Sequence, residues 1–172
     1  MSSPSLRELE EDGALAEQMA AFAPSSWRDA ISAYFATRKE KILRDVANVP
    51  EYEVVHKTYS VEALHKLHGI VQPLKKKNKT LKNIQSGTSL IEKKVRLAQL
   101  LTPSGWQEDF MGPFEKAREE ALDTILRREK IPQSQAIINE INLLTRFLSR
   151  VEHDARIAVV RRQKELKVVN GR

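Results

Sequence analysis

The sequence contains no cysteine and few aromatic residues. Without cysteine, a disulfide framework and a thiolate metal site are both excluded. Aromatic residues make up only 6% of the 172 residues, whereas Leu, Ile, Ala, Lys and Glu are frequent, and this composition favours helices over sheet. No stretch approaches the ~20 consecutive apolar residues that a membrane-spanning helix needs, so we expect no such helix.

Targeting signals are also missing near the start of the chain. Residues 8–12 include four acidic side chains, and no apolar signal core surrounds them. Mitochondrial presequences are poor in acidic residues, and secretory signals need an apolar core. We therefore expect a cytoplasmic or nuclear protein.

Catalytic motifs are absent as well. The chain has no Gly-x-Ser-x-Gly element, no glycine-rich phosphate loop and no His-Glu-x-x-His sequence. The adjacent carboxylates Glu119 and Glu120 fall on the predicted solvent side of a helix, where no apolar pocket would raise the pKa of either. The sequence therefore predicts a protein that is not an enzyme, with no catalytic residue and no cofactor.

Three residues have the spacing of a metal site found in helical bundles. Glu62, His65 and His68 follow each other at three-residue steps. Carboxylate-bridged sites of this kind need a second Glu-x-x-His pair, and the sequence contains none. We therefore predict no metal site and interpret the histidines as residues at the margin of a bundle. A helical enzyme or metal carrier around His65 and His68 is a third, weaker hypothesis.

The longest pattern in the chain lies in its last forty residues. Apolar and small side chains recur there at alternating three- and four-residue steps, and no Pro or Gly interrupts them between Pro132 and Gly171. This spacing predicts one helix over 133–168, ~50 Å long, with a heptad seam along one side. The heptad seam consists of Ser134, Ile137, Ile141, Leu144, Leu148, Val151, Ala155, Ala158, Arg162 and Glu165.

Apolar stripes and capping residues predict further helices before the long one. Ser89 with Glu92 forms a capping box, and Ser26 with Asp29 resembles one. The segment from Glu51 to Tyr59 is rich in residues that favour strands. Without a second strand to pair with, it is predicted to be an extended connector, alone or with a short helical turn. The predicted helices cover 4–22, 27–48, 61–72, 73–85, 90–101 and about 113–130.

These elements together indicate an all-α fold, an elongated antiparallel helical bundle with a long, coiled-coil-like C-terminal helix. The short connections between the helices favour antiparallel neighbours. We expect a single helical domain over 1–172, with residues 1–24 as a loosely packed N-terminal helix and 133–168 as the long C-terminal helix.

Our leading functional hypothesis follows from a difference in length. Helix 27–48 spans ~33 Å and the long helix ~50 Å, which would leave part of the apolar seam without cover. We therefore expect a structural or adaptor subunit that binds other helical proteins in a homo- or hetero-oligomer. The expected interface residues on the long helix are Leu148, Val151, Ala155, Ile157, Ala158 and Val160.

A second group of candidate partner-binding residues lies in the segment 102–114, which is predicted to be a polar loop or a single helical turn. Trp106, Phe110 and Met111 bring much of the chain's aromatic and sulfur-containing surface together. One interpretation is that they close one end of the bundle. The other is an exposed anchor for a partner, because Trp and Met are frequent in binding patches.

The alternative function comes from a basic face. The net charge is +6, and many cations fall within one stretch of the middle of the chain. Such a face would bind phosphates of nucleic acid or of an anionic membrane, although a solvated helix face accounts for the same lysines. The residues concerned are Lys75, Lys76, Lys77, Lys79, Lys82, Lys93, Lys94 and Arg96.

Overall fold

In the computed structural model, the described residues form helices and no strands. The structure describes residues 6–22, 26–71, 89–101 and 106–170. The predicted all-α bundle and its long C-terminal helix are confirmed. Within these ranges there are six helices: α1 (Leu6–Phe22), α2 (Trp27–Val46), α3 (Glu51–Val71), α4 (Leu90–Leu101), α5 (Trp106–Leu126) and α6 (Ile131–Asn170).

Two of the predicted helix starts are confirmed by their capping bonds. The Asp29 amide donates to Ser26 Oγ at 3.2 Å at the start of α2. At the start of α4, the Ser89 amide donates to Glu92 Oε2 at 3.1 Å and the Glu92 amide donates to Ser89 Oγ at 3.3 Å. These bonds satisfy amides that have no partner within the first turn of a helix.

The prediction of an extended connector from Glu51 to Tyr59 is wrong, because α3 begins at Glu51. The Pro50 carbonyl accepts hydrogen bonds from the amides of Glu53 and Val54, at 2.9 and 3.3 Å. Glu51 and Glu53 also place negative charge at the positive end of the helix dipole. The strand preference of these residues does not decide their structure, because the part of the chain that the structure describes contains no strand that could pair with them.

The start of α5 also differs from the sequence prediction. The helix begins at Trp106 and continues through Gly112 and Pro113, where a restart was expected. Proline normally disfavours helical conformation in the residue before it, partly through a clash with that residue's Cβ. Gly112 has no Cβ, so this part of the penalty is absent. The predicted segment 73–85 lies outside the described residues.

The turn between α5 and α6 is built from backbone bonds and left-handed residues. The Arg128 amide donates to the Ile125 carbonyl at 2.9 Å, and the Glu129 amide donates to the Thr124 carbonyl at 3.0 Å. Arg128 has a φ of 59°, so it takes the position that glycine usually occupies in this type of C-terminal cap. Pro132 then lies in the first turn of α6, where a missing amide costs little.

The residues group into two compact units. The described part of unit 1 contains α1, the first turn of α2, α4, and α6 from Arg146 onward. The described part of unit 2 contains α2 from Ile31, α3, α5, and α6 up to Thr145.

Within unit 1, α1 packs against α4. On α1, Ala16, Met19 and Ala20 are buried, and on α4 the buried residues are Leu97, Ala98 and Leu101. Asp12 of α1 is also buried, and it accepts hydrogen bonds from Arg146 Nε at 2.6 Å and Nη2 at 3.2 Å. From Asp12 to Ala20, α1 is therefore packed into this unit.

Within unit 2, α2 and α3 form an antiparallel pair. The rings of Phe35 and His68 lie 6.1 Å apart, and Lys57 Nζ lies 3.9 Å from Asp45 Oδ2. Asp45 comes ten residues after Phe35 along α2, whereas its partner Lys57 comes eleven residues before His68 along α3. The two helices therefore run in opposite directions.

The contacts of α2 with α5 and α6 set the direction of those helices. Phe35 lies 5.9 Å from Phe114 of α5 between ring centroids, and Arg38 is bonded to Glu140 of α6. A short turn joins the end of α5 to the start of α6, so these two ends must lie close together. The end of α5 is twelve residues after Phe114, and the start of α6 is nine residues before Glu140. If α5 runs parallel to α2 and α6 antiparallel to it, both ends are level with the end of α2, whereas the opposite directions would separate them by ~9 Å along the helix axis. We infer that α5 runs parallel to α2 and α6 antiparallel to it.

A buried ion pair joins α2 to α6 in unit 2. Arg38 donates from Nε to Glu140 Oε2 at 2.8 Å and from Nη2 to Glu140 Oε1 at 3.1 Å. Glu140 is only 2% exposed. This bidentate contact gives the buried carboxylate both an opposite charge and hydrogen bonds in place of those it would make with water.

We expect Leu144→Asp to destabilise the protein strongly. Leu144 is fully buried on α6, and the change removes apolar contacts and leaves an unpaired charge there. The combined cost is about 4 kcal/mol, which urea or thermal denaturation would detect. Asn142→Asp is the matched control, because Asn142 is exposed on the same helix. An unchanged melting temperature for Leu144→Asp would contradict the inward orientation of this residue.

The ion pair predicts a double-mutant cycle. Arg38→Met leaves the Glu140 carboxylate buried without its partner and is expected to cost ~3–5 kcal/mol of stability. Replacing both residues, as Arg38→Met with Glu140→Leu, removes the buried charge and should recover most of that loss. Equal stability of wild type and Arg38→Met in denaturant titrations would show that the pair does not hold the carboxylate in the core.

Candidate partner-binding surface

The heptad seam of α6 is buried over most of its length. The buried residues of the seam are Ser134, Ile137, Ile141, Leu144, Val151, Ala155 and Ala158. Leu148 is half-buried, and the side chains of Arg162 and Glu165 lie outside the described part of the chain. The side of the long helix that the sequence predicted to face inward is therefore the side that the chain covers.

A second row of buried residues lies beside the seam in the first half of α6. Ala136, Glu140 and Phe147 are all below 9% exposure, and sequence reasoning missed all three. This row is difficult to recognise in the sequence because it includes Glu140, and a carboxylate is rarely buried without a partner. Arg38 supplies that partner from more than one hundred positions away, which local spacing does not reveal.

Three of the predicted interface residues are covered by the chain itself. Val151, Ala155 and Ala158 are at most 8% exposed, so they offer little surface to a partner. Helix 27–48 is not the only neighbour of α6, because α1 and α4 belong to the same compact unit as α6 from Arg146 onward.

Two other predicted residues do face solvent. Ile157 is 38% exposed and Val160 is 50% exposed. Residues three positions apart lie on the same side of a helix, so these side chains form one surface, called here the outer α6 face. Val159 is also 40% exposed and was missed by sequence reasoning, but its position points it to a different side of the helix.

Charged residues surround the outer α6 face. Arg161 and Lys164 are exposed on the same stretch, and Arg156 is exposed and pairs with Glu152. One turn earlier, Arg150 Nε lies 3.0 Å from Asp154 Oδ1. The face is thus a small aliphatic surface with cations next to it, a combination that suits an apolar helix with acidic flanks.

The predicted anchor group around Trp106 lies on a helix. Trp106, Phe110 and Met111 all belong to the first turns of α5. Met111 is half-buried, while the side chains of Trp106 and Phe110 lie outside the described part of the chain. Both interpretations of this group, closing one end of the bundle and binding a partner, stay predictions from the sequence.

The basic face of the alternative function is described only in part. Its members between Lys75 and Lys82 lie outside the described residues. Lys94 Nζ donates to Glu17 Oε1 at 2.7 Å, and this bond lowers the pKa of the Glu17 carboxyl. Lys93 is half-buried and Arg96 is exposed. Lys94 is therefore paired within unit 1, and phosphate binding by the whole group stays a prediction.

The histidines of α3 separate into different environments. His65 is exposed, whereas His68 is half-buried against the ring of Phe35. Burial lowers the pKa of His68, and the charges of His65 and Lys39 lower it further. In the described ranges, no group of three or more His, Asp or Glu side chains is arranged to hold a metal ion.

In the part of the chain that the structure describes, no helix combines the length and the apolar character needed to span a membrane.

The lowered pKa of His68 predicts a loss of stability in acid. Protonation favours the unfolded chain, where the pKa is ~6.5. The contribution of the neutral side chain is present above that value and is lost as the pH falls through the lower folded pKa. The melting temperature should therefore fall as the pH drops below the unfolded pKa of ~6.5, and it should fall by less in His68→Leu.

His56→Gln is the control for this experiment, because His56 is exposed on the same helix. This variant should keep the full acid-dependent fall in melting temperature. An identical fall in wild type and His68→Leu would show that His68 titrates equally in the folded and unfolded chains.

No family model, no curated protein and no solved structure matches this chain. Its function is therefore inferred from the surfaces and contacts described above.

Proposed function

We propose that this chain is a non-enzymatic structural or adaptor subunit that binds a helical protein of a larger assembly through the outer α6 face. The observation that carries the proposal is the exposure of Ile157 and Val160 on one side of a forty-residue helix. The same helix is anchored on its other side by the buried heptad seam. A partner helix laid along α6 would remove both aliphatic side chains from water.

The free energy available from burying these two side chains limits which partners could bind. Burying the remaining exposed surface of Ile157 and Val160 contributes roughly 1 kcal/mol for each side chain. Two such contributions are too small for a stable complex, because association also loses translational and side-chain freedom. The partner must therefore add contacts to the neighbouring cations Arg161 and Lys164, which an acidic residue on either side of its apolar stripe would provide.

The non-enzymatic part of the proposal is supported by the sequence, which contains none of the nucleophile, phosphate-loop or metalloprotease motifs named above. Each buried carboxylate described here is held by an arginine. Asp12 is bonded to Arg146 and Glu140 to Arg38. In both cases the arrangement accounts for the carboxylate through packing between helices, with no need of a substrate.

Site-specific photo-crosslinking in cells tests the proposal. A photo-reactive amino acid at Val160 should give a covalent adduct of defined mass, and the partner's contact residues should form a helix with acidic flanks. Ile157→Lys in the same chain should remove that adduct, because it places a charge in the apolar contact.

The control position is Gln99, which is exposed on α4 of the same unit. A crosslinker at Gln99 should not give the adduct obtained at Val160. Absence of any adduct at Val160, or an adduct that Ile157→Lys leaves unchanged, would contradict binding through the outer α6 face.

A further inference from the structure

The exposed apolar residues of unit 2 are concentrated at one end. Large apolar side chains with more than 40% exposure occur in the last turns of α2, the first turns of α3, the last turns of α5 and the start of α6. The two short connections between these helices lie at the same end, because α5 runs parallel to α2 and α6 antiparallel to it. This end, called here the turn end, carries Leu43, Tyr52, Val55, Leu122, Leu126 and Ile131.

The degree of exposure at the turn end is high. Leu126 is 79% exposed and Tyr52 is 70% exposed. Farther from this end, Val71 at the end of α3 and Phe114 in the first half of α5 are fully or almost fully buried. Single exposed apolar residues are ordinary on protein surfaces, but a concentration of them at one end marks an interaction surface.

The charges of the turn end divide between its two connections. Several cancel within the chain: Arg44 pairs with Glu40, Lys57 with Asp45, and Arg127 with Asp123. At the α2–α3 connection the remaining charges are the carboxylates of Glu51 and Glu53. At the α5–α6 connection they are Arg128, Glu129 and Lys130, with a net positive charge. One half of the surface is therefore acidic and the other half basic.

We propose that the turn end is the interface of a homodimer, in which it packs against the turn end of a second copy of this chain. A two-fold axis between the two connections brings the acidic connection of each copy against the basic connection of the other. Glu51 and Glu53 then face Arg128 and Lys130 twice, once on each side of the axis. The apolar residues of both copies meet between these charged contacts, and their exposed surface is removed from water.

The charge pattern favours a second copy over an anionic membrane. A bilayer with negative headgroups attracts clustered cations and repels carboxylates. Glu51, Glu53 and Glu129 would approach such a surface together with Arg128 and Lys130, so the attraction would largely cancel. The same mixture of charges is what a self-complementary interface requires.

Sedimentation equilibrium of the full chain at rising concentration tests the proposal. Wild type should reach the mass of two chains, and Leu126→Asp should keep the mass of one chain at concentrations where wild type is dimeric. Leu90→Asp is the matched control, because Leu90 is an exposed leucine of unit 1. It should dimerise like wild type, and so should the Ile157→Lys variant of the outer α6 face.

A charge exchange tests the orientation of the two copies. Glu51→Lys with Glu53→Lys makes both connections basic, and Arg128→Glu with Lys130→Glu makes both acidic. Each double variant should be monomeric alone, because its homodimer places like charges opposite each other. A mixture of the two should form heterodimers, in which every charged contact is again complementary.

Three results would overturn the proposal: a single-chain mass for wild type at all concentrations, a dimer that Leu126→Asp leaves intact, or charge variants that do not recover on mixing. Sedimentation of monomeric wild type with vesicles of anionic phospholipid, lost in Leu126→Asp, would assign the turn end to a membrane surface instead. Circular dichroism of each variant should match wild type, since all the substituted residues are solvent-exposed or half-buried.

Discussion

The burial of one side of α6 is the constraint on which the rest of this structure depends. Its heptad seam supplies core residues to both compact units, from Ile137 and Leu144 in unit 2 to Val151 and Ala158 in unit 1. A helix of forty residues is stable in water only when such a stripe is covered. Arg38 and Asp12 add one buried ion pair to α6 in each unit, and these pairs restrict which neighbours can pack there.

The same burial determines which surfaces remain for partners. Because α6 faces inward through its seam, Ile157 and Val160 point outward. In unit 2, the buried core formed by four helices does not extend to the helix ends at the two connections. Leu126 and Tyr52, which lie near these ends, are therefore exposed to solvent. The outer α6 face and the turn end are thus separate surfaces in different units, one with a basic surround and the other with balanced charge. We propose a different partner for each: an acidic-flanked helix for the outer α6 face and a second copy of the chain for the turn end.

Local sequence determined much of this fold, and the exceptions have physical causes. The seam positions Ile141 and Leu144 and the Ser89–Glu92 capping box depend on residues within a turn or two of each other, so their spacing identifies them. The burial of Glu140 depends on Arg38, which is distant in sequence. The exposure of Ile157 was predicted, but the covering of Val151 was not, because it depends on helices whose place in unit 1 the sequence does not reveal.

Hydrogen exchange of the backbone amides of α6, read by mass spectrometry of the intact chain, tests this account most directly. If the seam is covered along both units, the amides between Ile137 and Ala158 should be among the slowest to exchange in the protein, with protection continuous across Thr145 and Arg146. Rapid exchange through this segment, at the rate of fraying helix ends, would mean that α6 is not the buried centre of either unit.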